Sequence, residues 1–488
     1  MKKNITILLL VALLASTISG CKHEQTGIAE PESTSETESE NLVETKPDLI
    51  EMRKDVSDNL PDTDMNGFCF RMYLWSDIAV NSFTPEELNG DMVNDAIYNR
   101  KIGLEERFNT VLQGDNSGAE GSVQHTRMLK NLILSGDDTY HLAQMHSMEG
   151  PSLSMENGLY NLCDVPYIDL TKPWWPQFMV EELSFMGQLY VFNNQLTTNF
   201  IDGSIVLFFN RDLLEQYDLE NPYDIMESGA WTYDRMQKLI AGTYVDLNGD
   251  GVRDDSDQYG YTSRGWFPYE MISSYLSILE KTDTDLSVSF LNDRTVSFFE
   301  KLVQVYYNNS DVYLSDKASE LFGAGQSVFV LGGLSMIGST YRDVDMHIGL
   351  LPPPKLDETQ AEYVVCGGRD LFGIPATVQD VAYVGILTEA LSAEGYKNVY
   401  PKYYEESLKV KYLRDDTYWE QAQNTLDLIE RSLTLNFWYM YGNWIFFNTA
   451  NDLLNKGSSD FLSYWAKKEN SAQKRVDDVC MYFSSYID

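Results

Sequence analysis

At positions 245–260 the chain reads VDLNGDGVRDDSDQYG, with oxygen-bearing side chains at alternating positions around a glycine. Taking Asp246 as position 1 puts Asn248 at 3, Asp250 at 5, Gly251 at 6, the Val252 carbonyl at 7, Asp254 at 9 and Asp257 at 12. A hard cation takes six to eight oxygens, and glycine at position 6 permits the sharp turn that gathers them. The expected occupant is a structural calcium ion (Ca2+). At position 12 the short Asp257 replaces the bidentate Glu of an EF-hand, which weakens the site and suits an exported protein, where calcium is plentiful. The plain alternative is an acidic, solvated turn. With no partner loop and no second flanking helix, a calcium-driven opening is not expected. The loop should instead fasten a helix at 232–244 to a strand at 259–262.

Constellations for catalysis are missing. His23, His125, His141, His146 and His347 form no HExxH pair, and there is no GxSxG elbow and no phosphate-binding loop. A glycosidase needs only two carboxylates at the right separation in space, so the sequence does not exclude one. It offers no support for an enzyme.

The N-terminus sets the compartment. Lys2 and Lys3 precede an apolar stretch at 5–15 too short to span a bilayer, followed by Ser19, Gly20 and Cys21. Residues 1–20 are expected to be a signal peptide, and ISGC resembles a lipobox, with Cys21 the lipidated residue of the mature chain. Two or more acyl chains would hold it stably on the extracytoplasmic face of the cell membrane. Residues 21–65 follow as an acidic tether, with thirteen Asp/Glu against four Lys/Arg over 22–65. Such a segment buries too little apolar surface to order itself; a tether and a mere solubiliser look alike here. The net charge of −38 argues against nucleic acid or anionic lipid as a partner. Cys69, Cys163, Cys366 and Cys480 have no paired spacing and are expected to be free thiols.

The folded remainder alternates strand and helix, which calls for crossover units and mostly parallel sheets. Strands are expected at 68–75, 140–145, 204–210, 326–333 and 371–375, and helices at 95–109 and 125–136. Thr232 stands as the N-cap of the helix at 232–244, and the chain beyond 382 reads as largely helical.

The runs NLCDVPYIDLTKPWW, GQLYVF, SIVLFFNRDLLEQYDLENPYD, GAWTYDRMQKLI, DLNGDGVRDDSDQYGYTSRGW, QSVFVLGGLS, IGLLPPPK and LFGIPAT stand in this order between 67 and 380. In that order they resemble the extracellular solute-binding lipoproteins of ABC importers, in the carbohydrate-binding (family 1-like) branch. The resemblance implies an α/β, two-lobed periplasmic-binding-protein-like fold (type II), each lobe a mostly parallel sheet with flanking helices, joined by a hinge. The implied N-terminal lobe is 66–193 plus 330–392 and the C-terminal lobe 197–328 plus 396–488, with crossings at 193–202, near 328–332 and near 391–396. The implied function is capture of an oligosaccharide or related sugar by a monomer that closes on it and presents it to ABC transporter permease subunits. An exported glycosidase, a glycan-binding lipoprotein without a transporter, and a peptide ligand stay open.

Ligands of such sheets sit beyond strand ends, and sugars take aromatic faces together with hydrogen-bonding polar groups. The candidates are therefore Trp75 and Asp77 after the first strand, His146 after the next, and Asn199 and Asp202 at the first crossing. Arg264 and Trp266 follow QYGYTS; Gly332 and Gly333 end QSVFVLGG; Arg369 and Asp370 follow a second glycine pair; Trp444 lies in FWYMYGNW. Trp174, Trp175 and Trp231 are expected in cores.

Overall fold

The computed structural model describes residues 49–485 apart from 369, 414–416 and 443. The expected signal peptide, Cys21 and the tether up to 48 lie outside the described residues, as does Arg369. The tether is expected to run to 65, yet the described chain is already packed on the body before that residue. Helix Leu49–Lys54 and the residues after it are docked. The Arg107 guanidinium donates to Asp58 at 2.5 Å, Lys172 donates to the Ser57 carbonyl at 2.8 Å, and Met65 is buried. An acidic segment orders here because the body supplies cations that composition alone could not reveal.

In chain order the strands are β1 (Phe68–Leu74), β2 (Thr110–Asn116), β3 (Leu142–His146), β4 (Ile205–Asn210), β5 (Tyr259–Ser263), a hairpin of β6 (Leu279–Lys281) and β7 (Leu286–Val288), β8 (Val312–Leu314), β9 (Ser327–Gly333), β10 (Ile348–Leu351), β11 (Val365–Cys366), β12 (Asp370–Gly373) and β13 (Leu433–Thr434). The first large sheet has the order β12-β3-β1-β2, with β1 parallel to β2 and β3, and β12 antiparallel to β3. The second has the order β10-β4-β9-β5-β8. There β5 runs parallel to β8 and β9, while β4 is antiparallel to β9 and β10. Antiparallel pairing is thus more prominent in the second sheet than the α/β alternation suggests. Every residue of β4 and β9 is buried, which is why these strands read as continuous apolar runs rather than alternating ones.

The chain leaves the first sheet after Phe192, which bridges to Phe372, and enters the second at Ile205. The expected return near 328–332 does not occur. β9 and β10 both pair with β4, so the chain stays in the second sheet through Leu351 and rejoins the first only at β12. Gly332 and Gly333 sit inside that pairing, opposite Val206 and Ile205.

Helices cover the sheets through ordinary local signals. Asn292 caps helix Asp293–Tyr307 by accepting from the Thr295 amide, and Phe298, Phe299, Leu302, Val305 and Tyr306 form its buried stripe. Thr232 caps Tyr233–Leu239 as expected, but that helix stops five residues early. Gly242 follows at φ +83, a backbone that ends helices. One apolar core runs from Met72 and Leu142 through Phe185, Phe437 and Phe483 to Phe298. The C-terminal helices therefore touch both sheet systems. Helix Glu469–Ser484 takes a 2.7 Å hydrogen bond from Gln188 to its Phe483 carbonyl. From the hairpin, Lys281 donates to the carbonyls of Glu181, Glu182 and Ser184, each at 2.7 Å, closing the end of helix Gln177–Leu183. Among the described residues no helix is long and apolar enough to cross a membrane.

Candidate ligand-binding site

At the C-terminal ends of β1 and β3 the structure gathers residues from distant parts of the chain. Trp75, Ser122, His146, Asn199 and Asp370 line one hollow of about 380 Å³. Trp75 and Ser122 also line a second hollow of about 240 Å³, with Ser76, Glu120 and His125. Four of the residues singled out from the sequence, Trp75, His146, Asn199 and Asp370, thus share one wall system. Trp75 directly follows β1, His146 ends β3, Asp370 begins β12 and Asn199 opens the short helix Asn199–Asp202.

Gln144 organises this wall from within β3. Its side-chain amide donates to Asp370 at 2.8 Å, and its side-chain oxygen receives the Trp75 amide at 3.4 Å. Its backbone carbonyl accepts from His125 Nε2 at 2.7 Å. A carbonyl can only accept, so the Nε2 of His125 carries the proton and its Nδ1 accepts from the Ser117 hydroxyl at 2.8 Å. Burial lowers the His125 pKa and keeps the ring neutral. Trp75 packs between two imidazoles, with ring centroids 5.7 Å from His125 and 6.1 Å from His146. His146 Nδ1 lies 2.8 Å from the Glu149 carboxylate, which also accepts from Ser122 Oγ at 3.2 Å. The Asn199 side-chain oxygen is buried without a hydrogen-bond partner. A buried acceptor left open in a hollow is a site for a ligand hydroxyl.

The crossing behind the hollow is tightly held. Asn193 donates to the Gly368 carbonyl at 3.1 Å, and Asn194 to Ser392 Oγ at 3.0 Å. A Cβ on Gly368 would stand 2.2 Å from the Asn199 carbonyl, so only glycine fits there.

The other candidates fall elsewhere. Asp77 is exposed and accepts from Asn116 at 2.8 Å. Asp202 turns away to the Tyr403 hydroxyl, and burial pushes its carboxyl up to about 6 against the opposing hydrogen bonds of Tyr403 and Thr198. Gly332 is small because Met336 and Phe208 press on it, not because a ligand does. Gly333 has only Ser335 nearby, at 3.7 Å. Arg264 is exposed past β5. Trp266 meets Tyr269 edge-on at 5.7 Å, and Tyr269, Phe447 and Trp444 continue that aromatic line. Trp174, Trp175 and Trp231 are fully buried; the first two donate their indole N–H groups to the two oxygens of Glu389, each at 2.8 Å.

Gln144, Glu149 and Ser122 escaped the sequence reading. A glutamine inside the apolar run YHLAQM was a usable signal, since a polar residue in a buried strand needs a partner. Ser122 and Glu149 carried none.

The calcium-like loop is an ordered knot of short hydrogen bonds. Asp246 accepts from the amides of Gly249 at 2.7 Å and Gly251 at 2.9 Å. Asp250 accepts from the Val252 amide at 2.7 Å, and Asp254 from the Ser256 amide at 2.7 Å. Asp257 is fully buried beneath, receiving the Tyr244 hydroxyl at 3.2 Å and the Leu247 amide at 3.3 Å. Asn248 directs its amide nitrogen at Asp250, at 2.9 Å. Among the described residues no three His, Cys, Asp or Glu side chains converge as a metal site. The turns suit a cation loop, and each of these carboxylate oxygens, accepting a single backbone N–H, keeps a second lone pair. Cys69, Cys163, Cys366 and Cys480 are all free, with Cys163 exposed.

No protein-family model and no curated protein sequence matches this chain. Solved structures do. A cyclo/maltodextrin-binding protein complexed with maltotetraose matches at TM-score 0.53 and 13% identity, over 89% of this chain and 99% of that one. UgpB from Mycobacterium tuberculosis in complex with glycerophosphocholine matches at TM-score 0.57 and 13% identity, over 84% and 98%. The maltose/maltodextrin-binding domain MalE from Bdellovibrio bacteriovorus bound to maltotriose matches at TM-score 0.51 and 12% identity, over 86% and 99%. The chain has their fold. At such identity the likeness speaks for the two-lobed α/β architecture, and the ligand must be argued from this chain's own side chains.

Proposed function

We propose that this protein is a non-catalytic, extracytoplasmic receptor that captures a carbohydrate between its two lobes and delivers it to an ABC transporter permease. A lipid on Cys21 would hold it at the membrane. The observation that carries the reading is the meeting of Trp75, His146, Asn199 and Asp370 in one hollow, on a fold shared with solute-binding proteins. The Trp75 ring offers a face for the C–H surface of a sugar, while Asn199 and Asp370 offer acceptors for hydroxyls. Asn199 belongs to the crossing and Asp370 to the strand that returns to the first sheet. A ligand bridging them would bias the relative position of the lobes.

Isothermal calorimetry of the purified chain against neutral and charged oligosaccharides and against peptides tests this. Micromolar binding of a glycan, without product formation, supports it; turnover of the glycan or binding of peptides alone would refute it. Structural calcium in the 246–257 loop is a separate part of the proposal. Chelation should then lower the melting temperature, and an unchanged melting curve removes the ion.

A further inference from the structure

Beside the candidate site, between helix Ser122–Leu134 and the C-terminal helices, lies a further hollow of about 280 Å³ whose walls include Thr126, Arg127, Glu149, Trp444 and Arg475. Its charges are unusual for a chain of net charge −38. Of the two acids on its wall, Glu156 pairs with Lys130 at 2.5 Å, while Glu149 lies 2.8 Å from His146 Nδ1 and accepts from Ser122 Oγ at 3.2 Å, its Oε2 making no hydrogen bond. Among the described residues neither guanidinium forms a salt bridge, although Asp478 acts on Arg475 from nearby. Among the described residues Arg127 has no hydrogen-bond or ion-pair partner. Arg475 donates its Nε to the Tyr441 carbonyl at 2.7 Å, which leaves its two terminal nitrogens for a ligand. Between them the Thr126 hydroxyl is 7% exposed and without a partner. Trp444 is 38% exposed, its ring held edge-on by Phe447 at 5.3 Å.

Two cations, an open hydroxyl and an aromatic plate form a set that a neutral sugar would leave half used. Guanidinium groups fit carboxylate and sulfate oxygens in a fork and hold them through charge-assisted hydrogen bonds. An acidic protein repels such ligands at long range, so local cations are required to seat them. We infer that the solute is an acidic glycan whose carboxylate or sulfate is held by Arg127 and Arg475 while the ring beside it lies on Trp444. The Ser122–Glu149 hydrogen bond at 3.2 Å makes the wall of this hollow adjacent to that of the one behind Trp75, and the proposal places one oligosaccharide across both. The inference rests on the carbohydrate reading above.

The test is calorimetry on the intact chain with three tetrasaccharides: hyaluronan (carboxylate only), κ-carrageenan (sulfate only) and maltotetraose (neutral). One acidic tetrasaccharide should bind at least roughly tenfold tighter than maltotetraose, and Arg127→Gln and Arg475→Gln should each erase most of that margin. Which of the two acidic probes binds distinguishes the anionic group. Arg127 is exposed, so Arg127→Gln remains informative if Arg475→Gln fails to fold. Equal or tighter binding of maltotetraose, or acidic-glycan affinity untouched by Arg127→Gln, overturns the acidic class and leaves the carbohydrate reading standing. Binding of none of the three overturns both.

Discussion

The loop at 246–257 and the hollow behind Trp75 are built on opposite plans. The loop draws its groups from twelve consecutive residues, and its carboxylates are largely satisfied by neighbouring backbone amides. The hollow draws on positions 75, 122, 146, 199 and 370, and keeps the Asn199 oxygen open. A motif that closes on itself stabilises its own turn and advertises itself in the sequence. A site that must accept a partner keeps groups unsatisfied, and a fold is required to bring them together.

Substitutions that separate the two plans can break this contrast. Gly368→Val should have the largest effect, because a Cβ there collides with the Asn199 carbonyl at 2.2 Å. Overpacking of this kind costs about 1–3 kcal/mol or more, and it should abolish ligand binding together with a fall in melting temperature. Asp257→Ala should remove the charged acceptor of the Tyr244 hydroxyl and the Leu247 amide and cost about 1.5–3 kcal/mol in urea unfolding. Its ligand affinity should stay at the wild-type value; a parallel loss of affinity would tie the loop to the cleft. Trp75→Ala should do the reverse, weakening glycan binding by roughly tenfold, or ~1.4 kcal/mol, with little change in melting temperature.

A last effect is on pH dependence and belongs to neither region. Burial pushes the Glu389 carboxyl from 4.5 up to about 7, against the opposing hydrogen bonds of Trp175 and Trp174. The folded chain therefore holds the extra proton over that interval. The resulting stability is complete below 4.5, is lost as pH rises through 7, and is constant above. Glu389→Gln should flatten the fall in melting temperature between pH 4.5 and 7 without altering ligand affinity. Glu270, also raised to about 7 by burial among Tyr306, Tyr233 and Tyr261, should preserve part of the slope.

Much of the architecture was legible locally. The apolar runs of β4 and β9, the Thr232 cap and the short turns are written in adjacent residues. The crossing that the resemblance implied near 328–332 falls inside continuous pairing of β9 with β4, where Met336 and Phe208 press on Gly332. The docking of 49–65 was missed because its partners, Arg107, Lys172 and Tyr396, are distant in sequence.

By itself, then, the sequence determined the strand–helix alternation, the caps, the acidic turn at 246–257 and the placement of Trp75, His146 and Asp370 at strand ends, since each depends on neighbours a few residues away. Tertiary structure alone decided that Gln144 links Trp75 to Asp370, that Glu149 sits between His146 and Ser122, and that Arg127 and Arg475 line one hollow with Trp444. Those relations depend on which strand pairs with which and where the C-terminal helices come to rest. Pairing and docking follow from burying one shared core, and no short stretch of sequence contains that information.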